Sequence, residues 1–84
     1  MKLRPEVAAF AQEMERKLRA NDHKEHWSAL SRQRLFMRLT QERTELRRAC
    51  ERGDPVEILA EAADVANFAM MIADNARSPS DERP

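Results

Sequence analysis

A single cysteine, Cys50, excludes an internal disulfide, and one glycine with four prolines leaves little of the punctuation that a turn-rich β protein needs. No long alternation of β-branched residues is present, so half-buried strands are excluded as well. The longest apolar run falls far short of the ~20 residues of a membrane span. Net charge is also missing: 15 Lys plus Arg balance 15 Asp plus Glu. That balance denies the chain a global basic field for nucleic acid or an anionic membrane, so any charge logic must be local. The N-terminal stretch "MKLRPEVAAFAQEMERK" becomes charged before an apolar signal-peptide core can build. With the lone thiol, this gives the expectation of a cytoplasmic protein.

What the chain does contain is helix-forming residues, Ala, Leu, Glu, Arg and Met, and the fold class expected is all-α. At 84 residues it is one domain, short enough that burial against a second copy is expected. A first helix starts near Pro5, which suits a first turn, and places Val7, Phe10, Ala11, Met14 and Leu18 at helical spacing until Asn21 and Asp22 end it. After the polar connection "NDHKEHW", Ser28 or Ser31 can cap a second helix carrying Leu35, Leu39, Leu46 and Cys50 near one stripe. The segment "GDPVE" is a complete boundary. Gly53 stops the second helix, Asp54 caps a third, Pro55 takes its first position and Glu57 stands where a capping box needs it. The third helix runs to about Asn75. The domain spans 1–76, and 77–84, from "ARSPSDERP", has the composition of a disordered tail.

So short a turn makes the second and third helices an antiparallel hairpin. Glu42 and Glu45 lie on one arm, Glu61 and Asp64 on the other, each pair at i and i+3 and so on one helix face. Glu45 and Glu61 are each about eight residues from the turn, Glu42 and Asp64 about eleven, which at ~1.5 Å rise per residue sets them at matching levels. Four carboxylates converging beside the apolar run Val65 to Ile72 repel one another unless a cation compensates them. All-oxygen donors favour Mg²⁺ or Mn²⁺ over zinc, and the absence of Glu-x-x-His pairs disfavours iron. The competing reading is structural. Arg38, Arg43, Arg47 and Arg48 are ready partners for helix-surface carboxylates.

The pattern E-x-x-E, a spacer, then E-x-x-D, written here as "ERTE" and "EAAD", resembles the MazG-like all-α nucleotide pyrophosphohydrolases. The flanking stretches "FAQEMERKLRANDHKEHW", "ERTELRRA" and "EAADVANFAMMIAD" extend that resemblance from Phe10 to Asp74. It implies cleavage of nucleoside triphosphates between the α and β phosphates, releasing a monophosphate and pyrophosphate, as in nucleotide-pool house-cleaning. It also implies Mg²⁺ held by Glu42, Glu45, Glu61 and Asp64, and assembly as homodimers or tetramers around a four-helix core. Where many members of the family carry further acidic residues, this chain has Gln41 and Ala60.

Glu42 and Glu45 are the candidates for the general base that takes the proton of an attacking water. For substrate contacts the candidates are Lys24, towards a phosphate, Trp27, by stacking on a base, and Asn67, three residues beyond Asp64. Each has a plainer alternative: a solvated loop lysine, a cap on the core, an interhelical hydrogen bond. His23 and His26 are assigned nothing. A rival from another class is a non-catalytic helical dimer, an antitoxin-like or DNA-binding module resting on the arginine-rich second helix. Interleaved glutamates weaken its phosphate-backbone footprint.

Overall fold

A computed structural model describes residues 1–77 and contains three α-helices: α1 (Pro5–Ala20), α2 (Arg32–Arg52) and α3 (Pro55–Arg77). A one-turn 3₁₀ helix, Trp27–Ala29, lies between α1 and α2, and among the described residues no strand occurs. Among the described residues no helix is long and apolar enough to cross a membrane.

The boundaries follow from local chemistry. Pro5 occupies the start of α1, where a missing N–H costs nothing, and Asn21 ends the helix by folding its side-chain amide back onto Lys17 O at 3.0 Å. Ser31, of the two serines expected as caps, accepts from the Arg34 N–H at 3.1 Å. Gly53 closes α2 at φ 79°, a left-handed conformation that a side chain opposes, and its N–H returns to Ala49 O. Asp54 then accepts from the Val56 N–H at 3.1 Å. Glu57 does not complete a capping box. Its carboxylate receives Arg52 Nε at 2.8 Å across the turn instead, tying the end of α2 to the start of α3. The last helix continues two residues beyond the expected Asn75, aided by the Arg77 to Asp74 pair at 3.0 Å. The rest of the expected tail, 78–84, lies outside the described residues.

α3 is the central element, with α2 packed along it as the other arm of the hairpin and α1 and the 3₁₀ turn packed on it as well. On α2 the inward stripe is Leu35, Leu39, Glu42, Leu46 and Ala49, a repeat of alternating four and three residues. Leu35 and Ala49 are wholly buried, while Cys50, expected on this stripe, is exposed. One residue past Ala49 is a turn of about 100°, enough to carry it off the contact. Ala63 and Asn67 are the buried residues of α3.

The core is thin. Among the described residues only Leu35, Ala49 and Ala63 are buried apolar side chains, and α1 buries none fully. Val65, Ala66, Phe68, Met70, Met71 and Ile72 of α3 are all partly exposed, and Phe36, Met37, Val56 and Leu59 stand open to solvent.

Candidate metal centre and adjoining cleft

Three of the four predicted carboxylates come together. Glu42, Glu61 and Asp64 each present an oxygen, and the three oxygens lie within 4.8 Å of one another. The hairpin accounts for the meeting of α2 with α3, and the stripe accounts for Glu42. A carboxylate between Leu39 and Leu46 on the packed face of α2 is directed at α3 whatever its own preference. Glu45, three residues further on, lies at the flank of that face. It remains outside the group, pairs with Arg48 at 3.2 Å and keeps 47% of its side chain exposed. Two carboxylates at i and i+3 share a broad helix face, but only one of them falls on the narrower seam.

The group is electrostatically uncomfortable. Burial, followed by repulsion from Asp64 and Glu61, raises the Glu42 pKa above the ordinary glutamate value, against a smaller opposing effect of Arg38. Glu61 is raised for the same reasons, burial first and Asp64 second, with Lys17 opposing. Arg38 Nη2 is 3.8 Å from Glu42 Oε2, and its guanidinium also lies over the Phe68 ring at 5.3 Å. The stronger local cation is Lys17, whose Nζ lies 3.3 Å from Asp64 Oδ2. Lys17 was not among the sequence candidates. It belongs to α1, remote in sequence from both acidic motifs, and nothing in its own neighbourhood marks it.

A cleft of about 590 Å³ opens beside the carboxylates. Each helix contributes one face to it. Arg34, Arg38 and Glu42 come from α2 at four-residue steps; Asp64, Asn67, Phe68 and Met71 come from one side of α3; Lys17, Leu18 and Asn21 come from the end of α1. The connection adds Lys24, Trp27 and Leu30. The lining thus mixes cations (Lys17, Lys24, Arg34, Arg38), carboxylates (Asp22, Glu25, Glu42, Asp64) and apolar surface from Phe68, Met71, Trp27 and Leu30.

The three expected substrate contacts all line this cleft, and two of them also carry the structural roles that were their alternatives. Trp27 donates from Nε1 to Asp74 Oδ2 at 3.0 Å and accepts at its carbonyl from Asn75 Nδ2, which pins the connection to the end of α3. His26 stacks on its indole with centroids 4.1 Å apart and also caps the 3₁₀ turn by accepting from the Ser28 N–H. Asn67, 4% exposed, donates to Met14 O at 3.1 Å and so joins α3 to α1, while its buried Oδ1 meets no donor among the described residues. Lys24 is exposed on the cleft rim.

The donor set is all oxygen and half-buried, its carboxylates are spaced for a shared ion, and burial with the charge of Asp64 raises the pKa of both Glu42 and Glu61. These properties fit a hard divalent cation such as Mg²⁺ or Mn²⁺. Comparison with family models, with curated proteins and with solved structures finds no match to the chain.

Proposed function

We propose that the chain is a Mg²⁺-dependent nucleoside triphosphate pyrophosphohydrolase, cleaving between the α and β phosphates to a monophosphate and pyrophosphate. The observation that carries this reading is the pairing of the Glu42, Glu61 and Asp64 cluster with an adjoining cleft that Arg34, Arg38 and Lys24 also line. A carboxylate cluster repels a polyphosphate, so the two can meet only through shared cations, while the arginines and lysine attract the same ligand directly.

Glu42, Glu61 and Asp64 would hold Mg²⁺, with Mn²⁺ as substitute. The ion supplies charge neutralisation at phosphorus and a bound water of lowered pKa. Arg34 and Arg38, at the phosphate end, hold the polyphosphate in line. Phe68, Met71 and Trp27 offer the apolar surface on which a base is excluded from water. Glu45 lies beside the cluster without joining it, paired with Arg48, so it is the carboxylate that would accept a proton from the attacking water while Glu42 serves as ligand.

The working unit in this reading is a homo-oligomer, at least a dimer. A helix whose apolar residues from Val65 to Ile72 are all partly exposed, beside an open Phe36 and Met37, leaves more apolar surface uncovered than a soluble monomer tolerates. Two hairpins related by a two-fold axis would close a four-helix core.

A direct assay is pyrophosphate release from common and modified nucleoside triphosphates, with Mg²⁺ and with chelator. Metal-dependent release that is lost in Glu61→Gln with helix content retained supports the proposal. No release from any nucleotide, together with a melting temperature indifferent to millimolar Mg²⁺ and Mn²⁺, overturns it in favour of a non-catalytic interaction module.

A further inference from the structure

Lys17 is a charged contact of the carboxylate cluster to which the reading above gives no task. Its ammonium is 3.3 Å from Asp64 Oδ2, and both side chains are mostly buried, at 23% and 22% exposed. It is contributed by α1, the helix that supplies none of the clustered carboxylates. Its side chain also lines the cleft, on whose wall Arg34 and Arg38 stand.

A lysine and a divalent cation cannot both sit at one carboxylate oxygen pair without strong mutual repulsion. If a cation takes Asp64, the ammonium must withdraw. Its stem is anchored on α1 beside the cleft, so a rotation about its flexible side-chain bonds leaves the charge on the cleft wall rather than in bulk water. The anion that meets it there, in a pyrophosphohydrolase, is the polyphosphate.

We propose that Lys17 is the resting counter-ion of Asp64 and becomes a phosphate-binding residue when a divalent cation occupies the cluster. The proposal rests on the pyrophosphohydrolase reading and deepens it: the ligand selected is the metal-complexed polyphosphate rather than the free metal. Metal alone binds against the Lys17 charge. Metal with polyphosphate binds with that charge satisfied, so the two ligands favour each other. No covalent step is involved.

The test uses the full chain with Mn²⁺ alone, then with Mn²⁺ and an α,β-methylene nucleoside triphosphate, both by titration calorimetry. Lys17→Met should bind Mn²⁺ alone more tightly, on the order of tenfold, because the competing charge is gone. The same variant should bind the nucleotide analogue more weakly by a similar factor and show a raised KM in turnover, whereas Lys17→Arg, which keeps the charge, should recover most of the analogue affinity. If Lys17→Met does not fold, Lys17→Gln takes its place with the same expectations. A merely structural pair joining α1 to α3 predicts Mn²⁺ affinity unchanged or weakened in these variants, and that result overturns the proposal. A wild-type chain that binds Mn²⁺ and releases pyrophosphate, beside a Lys17→Met of unaltered affinities, overturns this inference alone. A wild-type chain that binds no Mn²⁺ overturns the pyrophosphohydrolase reading and this inference with it.

Discussion

Replacing Glu42 by leucine should make the metal-free protein more stable while removing its response to Mg²⁺. Glu42 occupies the inward stripe of α2 between Leu39 and Leu46, with only 18% of its side chain exposed. A leucine there continues the heptad pattern. Full burial of such a side chain is worth about 1.5 to 3 kcal/mol, and burial to the present extent about four-fifths of that, roughly 1.2 to 2.4 kcal/mol. Against this stands the lost ion pair with Arg38, at 3.8 Å and with the arginine 45% exposed, worth about 0.5 kcal/mol at most. Relief of the repulsion from Asp64 and Glu61 adds to the gain. A net stabilisation near 1 kcal/mol corresponds to a rise in Tm of about 4 to 8 °C for a chain of this size. The assay is thermal denaturation followed by circular dichroism, with chelator and with 5 to 10 mM Mg²⁺ (about that range suffices by mass action), at one protein concentration. The wild type should gain stability with Mg²⁺ and the variant should not. A Glu42→Leu protein that melts below the wild type in chelator would refute the reasoning, because it would make Glu42 a stabilising ion-pair partner rather than a ligand held at a cost to the fold.

Because the folded-state pKa values of Glu42 and Glu61 are raised, their contribution favours the folded state at low pH and is lost as pH climbs from the ordinary value of 4.5 through the raised values. Chelator-treated protein should therefore lose stability over that window by more than Glu42→Gln does, and saturating Mg²⁺ should cancel the difference; identical pH profiles for the two proteins would contradict this. Light scattering at micromolar concentration should return at least a dimer, and Phe36→Glu or Met37→Glu should shift the mass downward if that open face is the contact; a folded wild-type monomer would end the four-helix proposal. Gly53→Ala should cost about 1 to 2 kcal/mol, read from the same melts, since no atom lies within 4 Å of the added Cβ and the positive φ of 79° is the sole penalty. An unchanged Tm in that variant would mean that the turn relaxes.

The helices, their ends and the hairpin were legible in the sequence because each is decided locally. Pro5, Asn21, Ser31, Gly53 and Asp54 act on backbone groups within a few residues of themselves, and those contacts form in the structure as the spacing implies. The meeting of Glu42 with Glu61 and Asp64 was legible too, since a two-residue turn leaves the arms of a hairpin little freedom of level. What the sequence left open was rotation about the helix axis. Glu42 and Glu45 were equivalent as an i, i+3 pair, and only the packing of Leu35, Leu39, Leu46 and Ala49 against α3 turned one inward and left the other to Arg48. The stripe that separates them is visible in the residues once the seam is known, and the seam is a tertiary fact. α1 was the least legible element. Its helix could be read, but not where it crosses α3, because the long connection from Asn21 to Ser31 imposes no register and the crossing is set by side-chain packing and by the bonds of Asn67 to Met14 and of Trp27 to Asp74. That crossing alone places Lys17 at Asp64, so the residue most intimately tied to the carboxylates is one that no local pattern in the chain could have nominated.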